Sequence, residues 1–256
     1  MKRDSATYEI LRWAYRPVKH ARQAVGEVFN TARRKKVLAD YLARPGFKAL
    51  NIGCGTIYMD GWLNTDLAGV SRMDFAMDIT RPLPLPDASL DAIYGEEVIE
   101  HIPRSAVPGF LREACRVLRP GGVLRLTTPD VTEICRIYLG QRDDMRIEDL
   151  AKTWLEGEFS KEIWVNAQFQ FWGHQFIWSG ELLSKVMREC GFGDARRCAP
   201  HETHSSFGQL GELERRYGKD APPWVFASTM VLEGYKAPAP SAGSSAKSSR
   251  DVALAT

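Results

Sequence analysis

Residues 50–55 of the chain are Leu-Asn-Ile-Gly-Cys-Gly, and they end a short apolar run that begins at Phe47. A run of this length that ends in glycines is typical of a buried parallel strand. Gly53 and Gly55 would let a ligand approach the backbone at the carboxyl end of that strand, because a side chain there would hold the ligand away. Many tight turns contain a single Gly-x-Gly, so the residues that follow decide the interpretation.

Strand-like and helix-like segments alternate on both sides of this loop. Beyond the first strand, further strands are predicted at residues 62–66, 73–77, 90–94, 123–127, 195–198 and 225–232, with helices at 104–118 and 181–190. Strands that alternate with helices favour an α/β fold with a parallel sheet. We therefore predict a Rossmann-like, doubly wound, mostly parallel seven-stranded sheet.

The chain divides into three parts by composition. Residues 1–45 are predicted to form an N-terminal helical cap, residues 46–236 the main domain, and residues 237–256 a disordered tail rich in Ala, Ser, Pro and Gly. Within the domain, residues 131–176 are aromatic and helical in pattern, as in an inserted lid. The basic cluster at residues 33–36 is either a solvated helix face or a patch for weak contact with a membrane surface.

Composition excludes several classes of function. The net charge is only +2, so no nucleic-acid partner is expected. The five cysteines show no short spacings, which argues against a disulfide framework and favours a reducing, cytoplasmic setting. No stretch is apolar over the length that a membrane-spanning helix needs.

Acidic side chains recur at the ends of the predicted strands. Asp66 closes the second strand, where a carboxylate can accept two hydrogen bonds from a ribose diol. Asp78 follows the third strand, where it could bind an adenine amino group while Ile79 covers the ring. Each Asp alone could equally be a helix cap or turn residue. The order of the whole set favours a nucleoside-containing ligand.

Six segments together resemble the motifs of class I S-adenosylmethionine (SAM)-dependent methyltransferases, in the usual order. They are residues 50–55, 61–66, 78–79, 90–94, 97–102 and 117–122. The resemblance covers about residues 47 to 130 and implies that SAM is the cofactor. It also implies that Glu96 lies near the methionine end. The predicted SAM-binding set is Asn51, Gly53, Cys54, Gly55, Asp66, Leu67, Asp78, Ile79 and Glu96.

Two departures from the family pattern affect the donor side. Asn51 stands where these enzymes usually have an acid, so it can form hydrogen bonds but carries no charge. The stretch between Gly55 and Asp66 is short for a full helix, which predicts an abbreviated first crossover. Both departures leave open how the amino and carboxylate groups of methionine are held.

Candidate catalytic residues lie after strands four and five. Methyl transfer to a hydroxyl needs a base, and histidine suits this role because its pKa lies near neutrality. His101 and His174 are the candidate bases, and Asp130 is a candidate assistant. The alternatives are a helix-start residue for His101, a buried and satisfied histidine for His174, and a helix cap for Asp130.

A metal site is a second interpretation of the segment after strand four. If Glu97 begins a helix, Glu97, Glu100 and His101 share one face of it. The pattern resembles the divalent-metal site of ubiquinone O-methyltransferases and small-RNA 2′-O-methyltransferases, although metal-free relatives carry a similar Glu-His pair. Mg²⁺ is the expected ion for two carboxylates and an acceptor oxygen.

The leading functional hypothesis is a SAM-dependent O-methyltransferase whose small acceptor is a sugar or oligosaccharide. The sugar part follows from similarity to bacterial glycan methyltransferases, including the mycobacterial methylmannose 1-O-methyltransferases. A quinone, phenol or natural-product acceptor is the alternative. From other classes, an NAD-dependent oxidoreductase would show a third glycine opening a helix, and a non-catalytic scaffold would not need the histidines.

Overall fold

The computed structural model describes residues 33–67, 72–142, 160–214 and 226–238. Its strands are β1 (Ala49–Ile52), β2 (Leu63–Asp66), β3 (Phe75–Ala76), β4 (Leu90–Glu96), β5 (Leu118–Pro129), β6 (Phe192–Cys198) and β7 (Thr229–Lys236). Its helices are α1 (33–42), α2 (Val107–Val117), α3 (Val131–Tyr138), α4 (Lys161–Gln170) and α5 (Gly180–Glu189). Short 3-10 helices cover Ile99–His101, Phe171–Gly173 and Gly208–Glu212.

The seven strands form one sheet in the order β3-β2-β1-β4-β5-β7-β6. The pairs from β3 through β5 are parallel, and β7 runs antiparallel to both β5 and β6. The predicted Rossmann-like, mostly parallel seven-stranded sheet is therefore confirmed. Because the chain crosses from β3 over to β4 on the far side of β1, the carboxyl ends of β1 and β4 lie at a topological switch point, where such sheets bind ligands.

Burial explains the strand and helix pattern. All seven residues of β4 are buried, as expected of a central strand covered on both faces. On α2 the buried residues Val107, Phe110, Leu111 and Ala114 recur at helical spacing and pack into the main core. The α2 helix turns this apolar stripe toward the sheet, which fixes the segment that precedes it at the carboxyl end of β4.

No helix forms between Gly55 and β2, in agreement with the predicted abbreviated crossover. A polar network replaces it. The Asn51 amide donates to the carbonyl of Ile57 at 3.0 Å and to Oδ1 of Asn64 at 3.1 Å, and Met59 N–H donates to the same Oδ1 at 2.8 Å. Asn51 is thus buried and serves the loop that follows the glycines.

The segment after β6 covers the sheet face next to this short crossover. Leu210 and Leu213 pack with Tyr94 and Val123, and Met59 of the crossover contacts the same cluster. Beneath it lies Arg125 of β5, whose side chain is fully buried. A loop therefore shields a face of the sheet that would otherwise be open.

Two described helices of the inserted region share a small core. Ile134 and Ile137 of α3 pack with Trp164 of α4 and with Ile177. Residues 143–159 of the predicted lid lie outside the described residues, as do residues 1–32 of the predicted cap and 239–256 of the predicted tail. In α1, which the prediction places in the cap, Leu38 and Tyr41 pack on the main core. Among the described residues, no helix is long and apolar enough to span a membrane.

Candidate functional site

The glycine loop after β1 is shaped by a close contact with the segment after β4. Gly53 has φ +60° and Gly55 has φ +53°, in the left-handed region that side chains disfavour. A Cβ on Gly53 would lie 2.4 Å from Cγ2 of Val98. Gly53 is therefore required on both steric and conformational grounds, and the loop lies directly against Val98.

Asp66 ties this loop to the end of β2. Its carboxylate accepts hydrogen bonds from Gly55 N–H at 2.9 Å and from Leu67 N–H at 2.6 Å. A carboxylate has about four acceptor positions, so a ribose diol could still bind it. Burial raises the pKa of the nearby Cys54 thiol to about 11, so Cys54 stays a neutral lining residue at physiological pH.

The residues after β3 form a tight turn. Oδ1 of Asp78 accepts from Thr80 N–H at 2.9 Å and from the Thr80 hydroxyl at 2.7 Å, while Arg81 lies 3.6 Å from Oδ2. Ile79 is 7% exposed and packs in the main core. The turn role for Asp78 is thus present, and binding of adenine by Asp78 and Ile79 stays a prediction.

The geometry after β4 differs from the predicted helix start. Glu96 is buried at the end of the strand, and Glu97 has φ +54°, with its N–H donating to the carbonyl of Thr127 at 2.8 Å. The helical turn begins only at Ile99 and is of the 3-10 type. The expectation that Glu97 shares a helix face with His101 is therefore wrong, because a left-handed residue separates Glu97 from the helix.

Glu100 and His101 form a pair on this 3-10 helix. Glu100 is fully buried; its Oε2 accepts from the Thr128 hydroxyl at 2.8 Å, and its Oε1 lies 3.5 Å from Nε2 of His101. The His101 side chain is 34% exposed. A buried carboxylate beside a half-exposed imidazole can hold the ring in one orientation.

His174 joins this pair from the inserted region. The ring centroids of His101 and His174 are 4.9 Å apart. Nδ1 of His174 lies 2.6 Å from the carbonyl of Gln168, so Nδ1 carries the proton and donates it, which leaves Nε2 as the basic nitrogen. Burial lowers the pKa of His174, which keeps the ring neutral at physiological pH. The two predicted bases thus lie together.

Asp130 does not join this group through a described contact. It is fully buried, caps α3 by accepting from Thr132 N–H at 2.9 Å, and forms an ion pair with Arg197 at 2.6 Å. These contacts match the capping alternative. A direct part for Asp130 in catalysis stays a prediction.

The comparison with known proteins matches the part of the chain that contains the predicted SAM-binding residues. Residues 50–126 match the family model described as a methyltransferase domain. The segment 50–126 is therefore a SAM-dependent methyltransferase domain. SAM is the cofactor of this family, and the open glycine loop with Asp66 at its side fits a bound nucleoside. A dinucleotide of the NAD type would instead need a helix N-terminus after the loop, which is absent from the described segment 55–62.

Three curated relatives have alignable segments. A probable SAM-dependent methyltransferase of Mycolicibacterium smegmatis is 46% identical over 59 residues, which is 23% of this chain and 22% of that one. A sterol 24-C-methyltransferase of Gibberella zeae is 31% identical over 129 residues, covering 40% of this chain and 33% of that one. A malonyl-[acyl-carrier protein] O-methyltransferase of Serratia marcescens is 31% identical over 103 residues, covering 34% and 40%. The chain thus spans less than half the length of each relative.

The histidine pair and Glu100 could together hold a metal ion. Ligand atoms of Glu100, His101 and His174 all lie within 4.8 Å of one another. Glu97 is not part of this cluster, so the predicted set of Glu97, Glu100 and His101 is replaced by one carboxylate and two imidazoles. Such a set fits a borderline transition ion better than Mg²⁺, which prefers oxygen ligands.

Two residues that the sequence interpretation did not single out hold this cluster together. Gln175 donates its backbone N–H to the carbonyl of Glu100 at 2.7 Å and its Nε2 to the carbonyl of His101 at 2.6 Å. Thr128 fixes Glu100 from the neighbouring strand. The position of Gln175 directly after His174 is the only local feature of the sequence that points to it. Its hydrogen-bond partners, Glu100 and His101, lie far away in the sequence.

Proposed function

We propose that this protein is a SAM-dependent O-methyltransferase that transfers a methyl group to a hydroxyl of a small acceptor, a sugar or an oligosaccharide. The observation that carries the proposal is the His101–His174 pair, backed by Glu100, at the carboxyl end of β4. Val98, on the same segment, touches the Gly53 position of the donor loop. The candidate bases therefore lie beside the place where a donor would bind.

The chemistry follows from the proton that the acceptor hydroxyl must lose. SAM supplies an electrophilic methyl group, and a hydroxyl must lose its proton as the new bond to carbon forms. The basic Nε2 of His174, or His101 held by Glu100, can accept that proton. A carboxylate behind an imidazole stabilises the imidazolium that results. The paired histidines support hydroxyl methylation over transfer to an already nucleophilic amine.

The donor half of the proposal is tested by calorimetry with SAM and, separately, with NAD. We expect the protein to bind SAM and not NAD, and Asp66→Ala to weaken SAM binding, because the ribose contact and the anchor for Gly55 are both lost. Asp60→Ala is the matched control, since the Asp60 side chain is 91% exposed on the same loop. Binding of NAD without binding of SAM would overturn the assignment.

The acceptor half is tested by turnover of labelled SAM with a panel of saccharides, phenols and quinols. His101→Ala and His174→Ala should reduce kcat, by about 10²–10⁴-fold for whichever residue is the base. His204→Ala serves as the control, because His204 is exposed and lies in the segment after β6. Unchanged kcat in both site variants would refute the base assignment while leaving SAM binding intact.

A further inference from the structure

Trp172 is a large aromatic residue left open to solvent beside the candidate bases. Trp172 is 44% exposed, and its backbone is left-handed, with φ 57° and ψ 3°. A bulky residue rarely takes this conformation, which persists where the surrounding structure imposes it and is concentrated at functional sites. Gly173 follows with φ +86°, so the chain turns sharply at two successive residues.

The loop that carries Trp172 is fixed to the site. Gln175 binds the carbonyls of both Glu100 and His101, which fastens the loop to the 3-10 helix of the candidate base. The Trp172 ring lies 5.6 Å from His174, which lies 4.9 Å from His101. The indole is thus the outer member of a row of three rings.

The charges around this row indicate which acceptors it can bind. Residues 96–101 contain three acids, and neither they nor residues 171–176 contain Lys or Arg. Two of these acids, Glu96 and Glu100, are buried, and a described cation close to the row is Arg104, whose guanidinium lies 5.6 Å from the centre of the Phe176 ring. The segments that carry the row thus offer no lysine or arginine to pair with an anionic acceptor, and the exposed indole offers an apolar face to a neutral ring.

We propose that Trp172 is the platform on which the acceptor lies, and that this acceptor is a neutral saccharide ring whose C–H face packs on the indole. Trp172 would then determine specificity, with the acceptor hydroxyl directed toward the histidines. This inference rests on the proposed function for its reaction. Binding of the sugar to the platform can nevertheless be measured without turnover.

The experiment is saturation-transfer NMR with a neutral methyl hexoside, and with a phenol and a primary amine as competing chemistries. We expect the hexoside C–H protons to be saturated by the wild-type protein, with affinity reduced about tenfold in Trp172→Ala and less in Trp172→Phe, which keeps an aromatic face. Phe169→Ala is the matched control, because Phe169 is 42% exposed on the preceding helix. It should bind the hexoside like the wild type.

Turnover gives the second measurement. A platform binds the ground state and the transition state alike, so Trp172→Ala should raise KM about tenfold with kcat changed by less than about threefold. Unchanged hexoside affinity in Trp172→Ala, or a Trp172-dependent signal from the phenol or the amine alone, overturns the inference. If SAM fails to bind, the proposed function fails even where the hexoside binds. If SAM binds and the hexoside affinity is the same in Trp172→Ala as in the wild type, only the role of Trp172 as a platform is refuted.

Discussion

Arg125→Met tests the ionic cluster that holds the segment after β6 on the sheet. Arg125 donates to Glu214 through Nε at 2.7 Å and Nη2 at 2.9 Å, and to Glu233 through Nη1 at 2.7 Å. Nη1 also donates to the carbonyl of Glu202 at 2.7 Å. All three charged side chains are 0% exposed. Methionine fills the volume of the aliphatic part of the Arg125 side chain and leaves the carboxylates of Glu214 and Glu233 buried without their cation.

The size of the effect follows from that burial. Removing one partner of a buried ion pair costs about 3–5 kcal/mol, because the remaining charge stays in a poorly polarisable environment. Other hydrogen-bond donors reduce this free-energy cost. Glu214 still accepts from His201 N–H at 2.9 Å, and Glu233 accepts from the Thr203 hydroxyl at 2.6 Å. We expect a loss of about 4 kcal/mol in the free energy of unfolding, or roughly 8–16 °C in Tm for a domain of this size.

Thermal and urea unfolding followed by circular dichroism measure this effect. Arg196→Met on β6 is the matched control, since the Arg196 side chain is 56% exposed and forms a surface ion pair with Asp194. Its Tm should stay close to the wild-type value. Adding Glu214→Gln to Arg125→Met should recover part of the stability, because one buried charge is then removed.

The cluster also predicts the direction of the pH dependence. Burial alone would raise the pKa of Glu233, but hydrogen bonds from Thr203 and Tyr235 and the Arg125 charge outweigh it and hold the pKa below its ordinary value. This stabilisation is present above the unfolded pKa of about 4.3 and is lost as the pH falls through the folded pKa. Without Arg125 the Glu233 carboxylate takes up a proton at higher pH than in the wild type, so the stability deficit of the variant should shrink between pH 7 and pH 5. A Tm within about 3 °C of wild type at pH 7 would refute the reasoning.

Two further predictions concern the site. Gly53→Ala should abolish measurable SAM binding in calorimetry, because its Cβ would overlap Val98 at 2.4 Å. Gly46→Ala is the control and should bind SAM normally, because Gly46 also has a positive φ of +89° but has nothing within 4 Å of its Cβ position. Equal SAM binding by both variants would contradict the close contact between Gly53 and Val98. EDTA should leave turnover unchanged, because Glu100 is already held by Thr128 and His174 by a backbone carbonyl. Loss of turnover that a divalent ion restores would instead make Glu100 and His174 metal ligands.

The donor side was largely predictable from local sequence. A short apolar run ending in Gly-Cys-Gly specifies a buried strand and an open loop, since both follow from residue size and backbone freedom. The absence of a first helix also followed from length alone. The start of the helix after β4 was mistaken because Glu97 adopts a left-handed conformation, which its contact with Thr127 in β5 supports and no local pattern signals.

The arrangement of the candidate bases was decided by tertiary structure. His101 and His174 were each recognisable as candidate bases, but their contact depends on Gln175 folding the inserted region back onto the 3-10 helix. Likewise, Arg125 lies in an apolar strand and finds its counter-charges only when the sheet brings β7 beside it and the loop closes above. Sequence thus determines which local conformations the backbone can adopt. Which distant side chains meet is determined by strand order and long-range packing, whose free energy is shared among many residues.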